Sequence, residues 1–101
     1  MSLNKGDMVI IRSKDSGVHY GIFSSRIGRV VELVNSRRIW TWDGAFTLSE
    51  LAVHGTARPN NCEFSIEVPE IEVLDTCEII KMTPTAIDSL NNVPSKVYSG
   101  S

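Results

Sequence analysis

Apolar residues run four in a row at Met8, Val9, Ile10 and Ile11, directly after a Gly6-Asp7 turn. A short run rich in β-branched residues predicts a buried strand. "KDSG" at 14–17 is a dense turn signal. In "VHYGIFSSR", Val18, Tyr20 and Ile22 fall on one face of a second strand. Gly21 in its middle marks a bulge or a close backbone approach. "IGR" at 27–29 is the next turn. "VVELV" at 30–34 has strand character, "NS" at 35–36 breaks it, and "RRIWTW" at 37–42 resumes it. The first 42 residues therefore predict a meander of four short strands.

The period then changes. "TLSE" at 47–50 fits a capping box, with Thr47 as N-cap and Glu50 reaching back. Leu48, Leu51 and Ala52 make an apolar stripe, and Gly55 sits where a helix stops. "TARPNN" reads as a loop. From Phe64 the alternation returns and predicts two strands, about 63–68 and 71–82. Pro69 interrupts between them, a kink falls near Asp75, and Cys77 is assigned to the core. "TPTAIDSLNNV" predicts a second helix: Thr83 caps it, Pro84 takes its first position, Ile87 and Leu90 face inward, and Asn91-Asn92 ends it before Pro94. The order β-β-β-β-α-β-β-α predicts an α+β fold: a mostly antiparallel, twisted, partly barrel-like sheet with two short helices. The opening strands have the flavour of a small SH3-like barrel, a hint of shape alone. Residues 1–96 form the expected single domain and 97–101 a flexible C-terminal tail.

Composition sharpens this picture in three ways. At 101 residues, 42% hydrophobic and 22% charged, the chain can bury one core, though a small one, so a homo-oligomer is expected to supply further burial. The net charge of −2 argues against binding of duplex DNA by phosphate neutralisation. Residues 1–58 hold eight Lys and Arg against five acids, whereas 59–101 hold two against seven. Such halves either mix within one domain or pair with a partner. The two cysteines, Cys62 and Cys77, and an N-terminus with no run long enough for a leader or a membrane span predict a cytoplasmic protein with reduced thiols.

Candidate chemistry centres on "RRIWTWDGA". On a strand, Arg38, Trp40 and Trp42 share one face, and Arg37, Ile39 and Thr41 the other. A guanidinium fork beside indole faces can hold a phosphate and stack a base. The simpler reading is that one or both tryptophans fill the core under the helix, with Arg38 over an indole edge. A partner interface, or an internal or intersubunit ion pair of the arginines with Glu67, Glu70 or Glu72, is the other alternative. Arg12, His19 and Tyr20 around the "KDSG" turn form a second candidate anion site, or an exposed hairpin tip. No metal, cofactor or catalytic residue is expected. His19, His54, Cys62 and Cys77 lack the close-paired spacing of a zinc site, and no nucleophile elbow or Gly-rich phosphate loop is present. The acids at 63–78 alternate with apolar residues, as on a solvated strand face.

"IRSKDSGVHYG", "SRRIWTWDGAFTLSELAVHG", "CEFSIEVPEIEVLDTCEII" and "TPTAIDSLNNVP" together resemble a group of small proteins of tailed phages and prophages whose function is unknown. The resemblance covers about residues 9–94 and is most specific at the Arg-Arg-x-Trp-x-Trp-x-Gly-Ala stretch. Lys14-Asp15 departs from the Tyr-Ser-Ala-like turn expected there. The resemblance implies a phage-encoded protein in the host cytoplasm. The expectation drawn from it is a non-enzymatic counter-defence protein acting stoichiometrically. It would occupy a host defence protein or sequester an anionic, nucleotide-like small molecule. The alternative is a single-stranded nucleic-acid-binding protein or a phage structural or assembly accessory protein.

Overall fold

The computed structural model describes residues 3–98. Three strands open the chain: β1 (Met8–Ser13), β2 (Gly17–Ile27) and β3 (Val30–Thr41). After them come α1 (Leu48–His54), a 3-10 turn at Pro59–Asn61, β4 (Glu63–Phe64), β5 (Val68–Val73), β6 (Thr76–Lys81) and α2 (Pro84–Asn91). All six strands pair antiparallel in one sheet. Its order is β4-β3-β2-β1-β6, and β5 pairs with the first half of β3. The α+β class stands, and the sheet curls without closing into a barrel.

Local chemistry sets the turns. Ile27 pairs with Val30, so Gly28 and Arg29 form a two-residue hairpin loop, and Gly28 takes the positive φ (59°) that such loops need. The four strands expected before residue 42 are three. β3 passes through Asn35-Ser36 without a break, because Asn35 adopts φ 50° and bends the strand instead of ending it. Asparagine tolerates that region better than most residues. Pro69 likewise lies inside β5 and does not interrupt it. β5 is an edge strand, where a residue without an N–H is accommodated. The expected long strand over 71–82 splits at Asp75 (φ 51°). There the chain leaves the β3 edge of the sheet and joins the β1 edge as β6.

The helices obey their caps. Thr47 Oγ1 accepts from Glu50 N at 3.1 Å, and Thr83 Oγ1 from Ala86 N at 3.1 Å. The Glu50 carboxylate reaches back to Phe46 N, one residue beyond the expected partner. Leu51, Ala52, Ala86 and Leu90 are buried. Thr83 also joins the two helices, since its hydroxyl donates to Val53 O at 2.6 Å.

Strand alternation divides the core in two. Ile10, Tyr20, Ile39, Phe64, Leu51 and Leu90 pack between the sheet and the helices. Val9, Ile11, Phe23, Val31, Leu33 and Val73 pack on the opposite face, inside the curl. Cys77, assigned to the core from its apolar neighbours, is exposed; Cys62 is the buried thiol. β6 is an edge strand, and its outer flank is open. The basic and acidic halves interleave in space: Arg12 pairs with Glu78 at 3.2 Å and Lys81 with Asp7 at 3.5 Å. Val97 and Tyr98 are exposed, and the rest of the expected tail lies outside the described residues. Among the described residues no helix is long and apolar enough to cross a membrane.

Candidate functional site

Two rows of cross-strand partners build the site. Ile80, Ile10, Tyr20 and Arg37 lie opposite one another across β6, β1, β2 and β3. Directly beside them run Ile79, Ile11, His19 and Arg38. Directly opposed residues share a face, and neighbours along a strand do not. The first row therefore meets the helices and the second faces away from them. The adjacent pairs Arg37-Arg38 and His19-Tyr20 are split between the two sides.

Arg37 is 7% exposed and all five of its N–H groups are used inside the protein. Nε donates to Ser65 O at 3.0 Å. Nη1 donates to the Tyr20 hydroxyl at 3.1 Å and to Leu90 O at 3.3 Å. Nη2 donates to Val93 O at 2.8 Å and to Ser95 Oγ at 3.0 Å. The guanidinium carbon also lies 5.0 Å from the Phe64 ring centroid, within cation–π range. Leu90 and Val93 present carbonyls at the C-terminal end of α2, the negative end of its dipole. Thus the charge is met by carbonyls, a dipole and a ring. None of Glu67, Glu70 and Glu72 forms an ion pair with it. Burial raises the Tyr20 pKa above its ordinary value, and the Arg37 contact opposes that rise.

Arg38 is exposed, and among the described residues no carboxylate lies within ion-pair distance of it. Beside it Trp40 is 72% exposed. The two side chains share the walls of two neighbouring grooves. One, of about 230 Å³, is also lined by His19, Ser36, Val68 and Ile71. The other, of about 300 Å³, runs toward Asp15 and Ser16. Trp40 borders a third, of about 270 Å³, with Glu63 and Lys96, which pair with each other at 2.8 Å. Trp42 does not join them. β3 ends at Thr41 after an irregularity in its pairing with β4, and Trp42 packs against the helix-side core.

His19 is 1% exposed, and burial, aided by the nearby Arg38 charge, lowers its pKa to about 4. The ring is neutral at pH 7. Nε2 lies 3.1 Å from Ser16 Oγ, and Nδ1 has no partner among the described residues. Ser36, also 1% exposed, likewise has a hydroxyl with no partner among the described residues. Sequence reasoning did not select Ser36, because "NS" read as a break. The signal was present at Gly21: a Cβ there would lie 3.0 Å from Ser36 Cα, so the glycine marks the close approach that seats Ser36. Arg12 is exposed on β1 and paired with Glu78. Its row runs through Val18 to Ile39, so it lies on the opposite face from Arg38 and two strands away. The seven residues singled out from the sequence thus separate into an open set (Arg38, Trp40, with buried His19 behind them), a helix-side set (buried Arg37 and Tyr20, half-buried Trp42) and Arg12 apart.

The family model for a domain of unknown function, DUF6948, matches residues 6–90, and the chain belongs to that family. Neither a curated protein nor a solved structure matches it.

Proposed function

We propose that this DUF6948 protein is a non-enzymatic binding protein, encoded by a tailed phage or prophage and directed against host defence. It acts stoichiometrically, by sequestering an anionic, nucleotide-like ligand in the host cytoplasm. The observation that carries this reading is Arg38, without a carboxylate partner among the described residues, beside the exposed indole of Trp40 at the rim of a groove. A cation without a carboxylate and an aromatic face without a neighbour are what a phosphate and a base require. Arg37 supports the site from behind, since its donors are committed to the fold. The phage setting rests on the sequence resemblance.

Native mass spectrometry of the protein purified from infected cells, before and after heat release, tests the proposal. The expected result is an integer assembly carrying a releasable, UV-absorbing mass, absent from Arg38→Ala. A bare protein that instead captures one host complex would replace the ligand reading with a protein partner. Salt-sensitive retention on single-stranded DNA or RNA would replace it with strand binding.

A further inference from the structure

Two polar atoms behind the Arg38–Trp40 rim are buried and have no hydrogen-bond partner among the described residues: His19 Nδ1 and Ser36 Oγ. Both residues line the groove of about 230 Å³. An unpaired buried polar atom costs free energy comparable to a lost hydrogen bond, and native proteins keep few of them. Both belong to residues that line one groove, on adjacent strands, and a ligand that enters it reaches them once the side chains at its wall turn toward it.

The groove limits what that partner is. It is smaller than the roughly 300–1,000 Å³ typical of sites for drug-sized ligands, so it takes one ring system and not a whole dinucleotide. Val68 and Ile71 make its wall apolar, and Trp40 offers a π face. A charged group would be poorly solvated there, and Arg38 waits at the exposed side to meet it. The serine hydroxyl both donates and accepts. The neutral imidazole presents either a donor or an acceptor at Nδ1, according to which way the Ser16 contact at Nε2 is protonated. Such a pair matches an edge that carries a donor beside an acceptor.

Resting on the reading of Arg38 and Trp40 as a ligand platform, we infer that His19 and Ser36 are specificity residues. They read the polar edge of one uncharged heteroaromatic ring, the base of a nucleotide whose phosphate lies on Arg38.

The test is tryptophan fluorescence titration with the four ribonucleoside 5′-monophosphates and with ribose 5-phosphate. At least one nucleotide is expected to bind about tenfold or more tightly than ribose 5-phosphate, the discrimination of a site built to hydrogen-bond its ligand. Ser36→Ala removes a hydroxyl without adding volume, so it keeps the fold. It is expected to cut that preference about five- to tenfold, the effect of one hydrogen bond, and to leave the ribose 5-phosphate affinity unchanged. Ser36→Cys serves as the second variant and gives a smaller loss in the same direction. Nucleotide binding that both variants leave unchanged overturns the inference, while the Arg38–Trp40 platform stands. Equal affinity for nucleotides and ribose 5-phosphate does the same. Failure of every probe to bind removes the platform itself, and this inference with it.

Discussion

Arg37 and Arg38 are consecutive residues whose guanidinium groups serve opposite faces of one sheet. The first is enclosed by five internal acceptors, and the second has no carboxylate partner among the described residues. That they face opposite ways follows from the strand period; that Arg37 is the enclosed one follows from the α2 end lying on its side. Tyr20 and Ile10 stand in the row of Arg37, His19 and Ile11 in that of Arg38.

This asymmetry predicts unequal costs on truncation. Arg37→Met strands the carbonyls of Ser65 and Val93, while Leu90 O keeps the Val93 N–H and the Tyr20 hydroxyl. It is expected to destabilise by roughly 2–4 kcal/mol, since each buried group left unsatisfied costs about 1–3. Arg38→Ala, an exposed change, stays within about 0.5 kcal/mol of the wild type. Urea denaturation of the two variants reads the difference. Equal stability losses would contradict the assignment of the two faces.

Tyr20 and Arg37 act as a unit over the end of α2. Tyr20→Phe deletes a hydroxyl that accepts from Arg37 and lies 3.1 Å from both Leu90 O and Asn91 Oδ1. The expected loss is about 1–2 kcal/mol in the wild type. In the Arg37→Met background the loss should be smaller. A double-mutant cycle measures this coupling, and strict additivity would show that the hydroxyl and the guanidinium are independent.

His19 makes stability depend on pH. Its folded pKa, about 4, lies below the ordinary 6.5, so the unfolded chain binds the extra proton between those values. Stability is full above pH 6.5 and falls as pH drops toward 4, by up to ~3 kcal/mol from this group. Asp43 and Glu63 are also held below their ordinary pKa values, Asp43 first by the Asn61 side-chain hydrogen bond and Glu63 first by that from Lys96. Their contribution is lost at the acid end as well. Comparison with His19→Asn isolates the histidine. Removing the adjacent charge in Arg38→Ala should raise the His19 pKa, seen directly by NMR titration of the ring. A wild-type ring titrating near 6.5 would show that it is solvated.

Gly55 closes α1 at φ 74°, and a Cβ there would fall 2.3 Å from the Ser89 Cβ on α2. Gly55→Ala thus forces both a strained backbone and a helix–helix clash. Its cost should exceed the ~1 kcal/mol of an ordinary glycine replacement. Gly55→Ala in a Ser89→Gly background recovers the steric part and not the backbone part. No recovery at all would mean that the strain is wholly in the backbone.

How much of this was legible in the sequence depended on how local each cause was. The two helices were, because Thr47, Thr83, Pro84 and Gly55 are caps whose chemistry acts within one turn. The α+β class was, because period-2 and helical segments are separated by clear turns. Asn35 and Asp75 misled the strand count, since a single positive φ can either end a strand or bend it, and pairing with β5 and β1 decides which. Cys77 was misplaced because apolar neighbours do not reveal that a strand lies at an edge. Strict alternation grouped Trp40 with Trp42, but the strand ends between them. The two faces of "RRIW" were readable from alternation. Which of them the helices would cover was not, because that depends on contacts with residues 82–95.

The most direct test of the central claim uses the two indole N–H signals. The small-molecule fraction heat-released from phage-infected cells is added to 15N-labelled protein, and the Trp40 and Trp42 indole cross-peaks are followed. The Arg38–Trp40 groove as a ligand site predicts a large, saturable shift of Trp40 and little movement of Trp42, with the Trp40 shift abolished in Arg38→Ala. An unmoved Trp40, or a shift confined to Trp42, would contradict it.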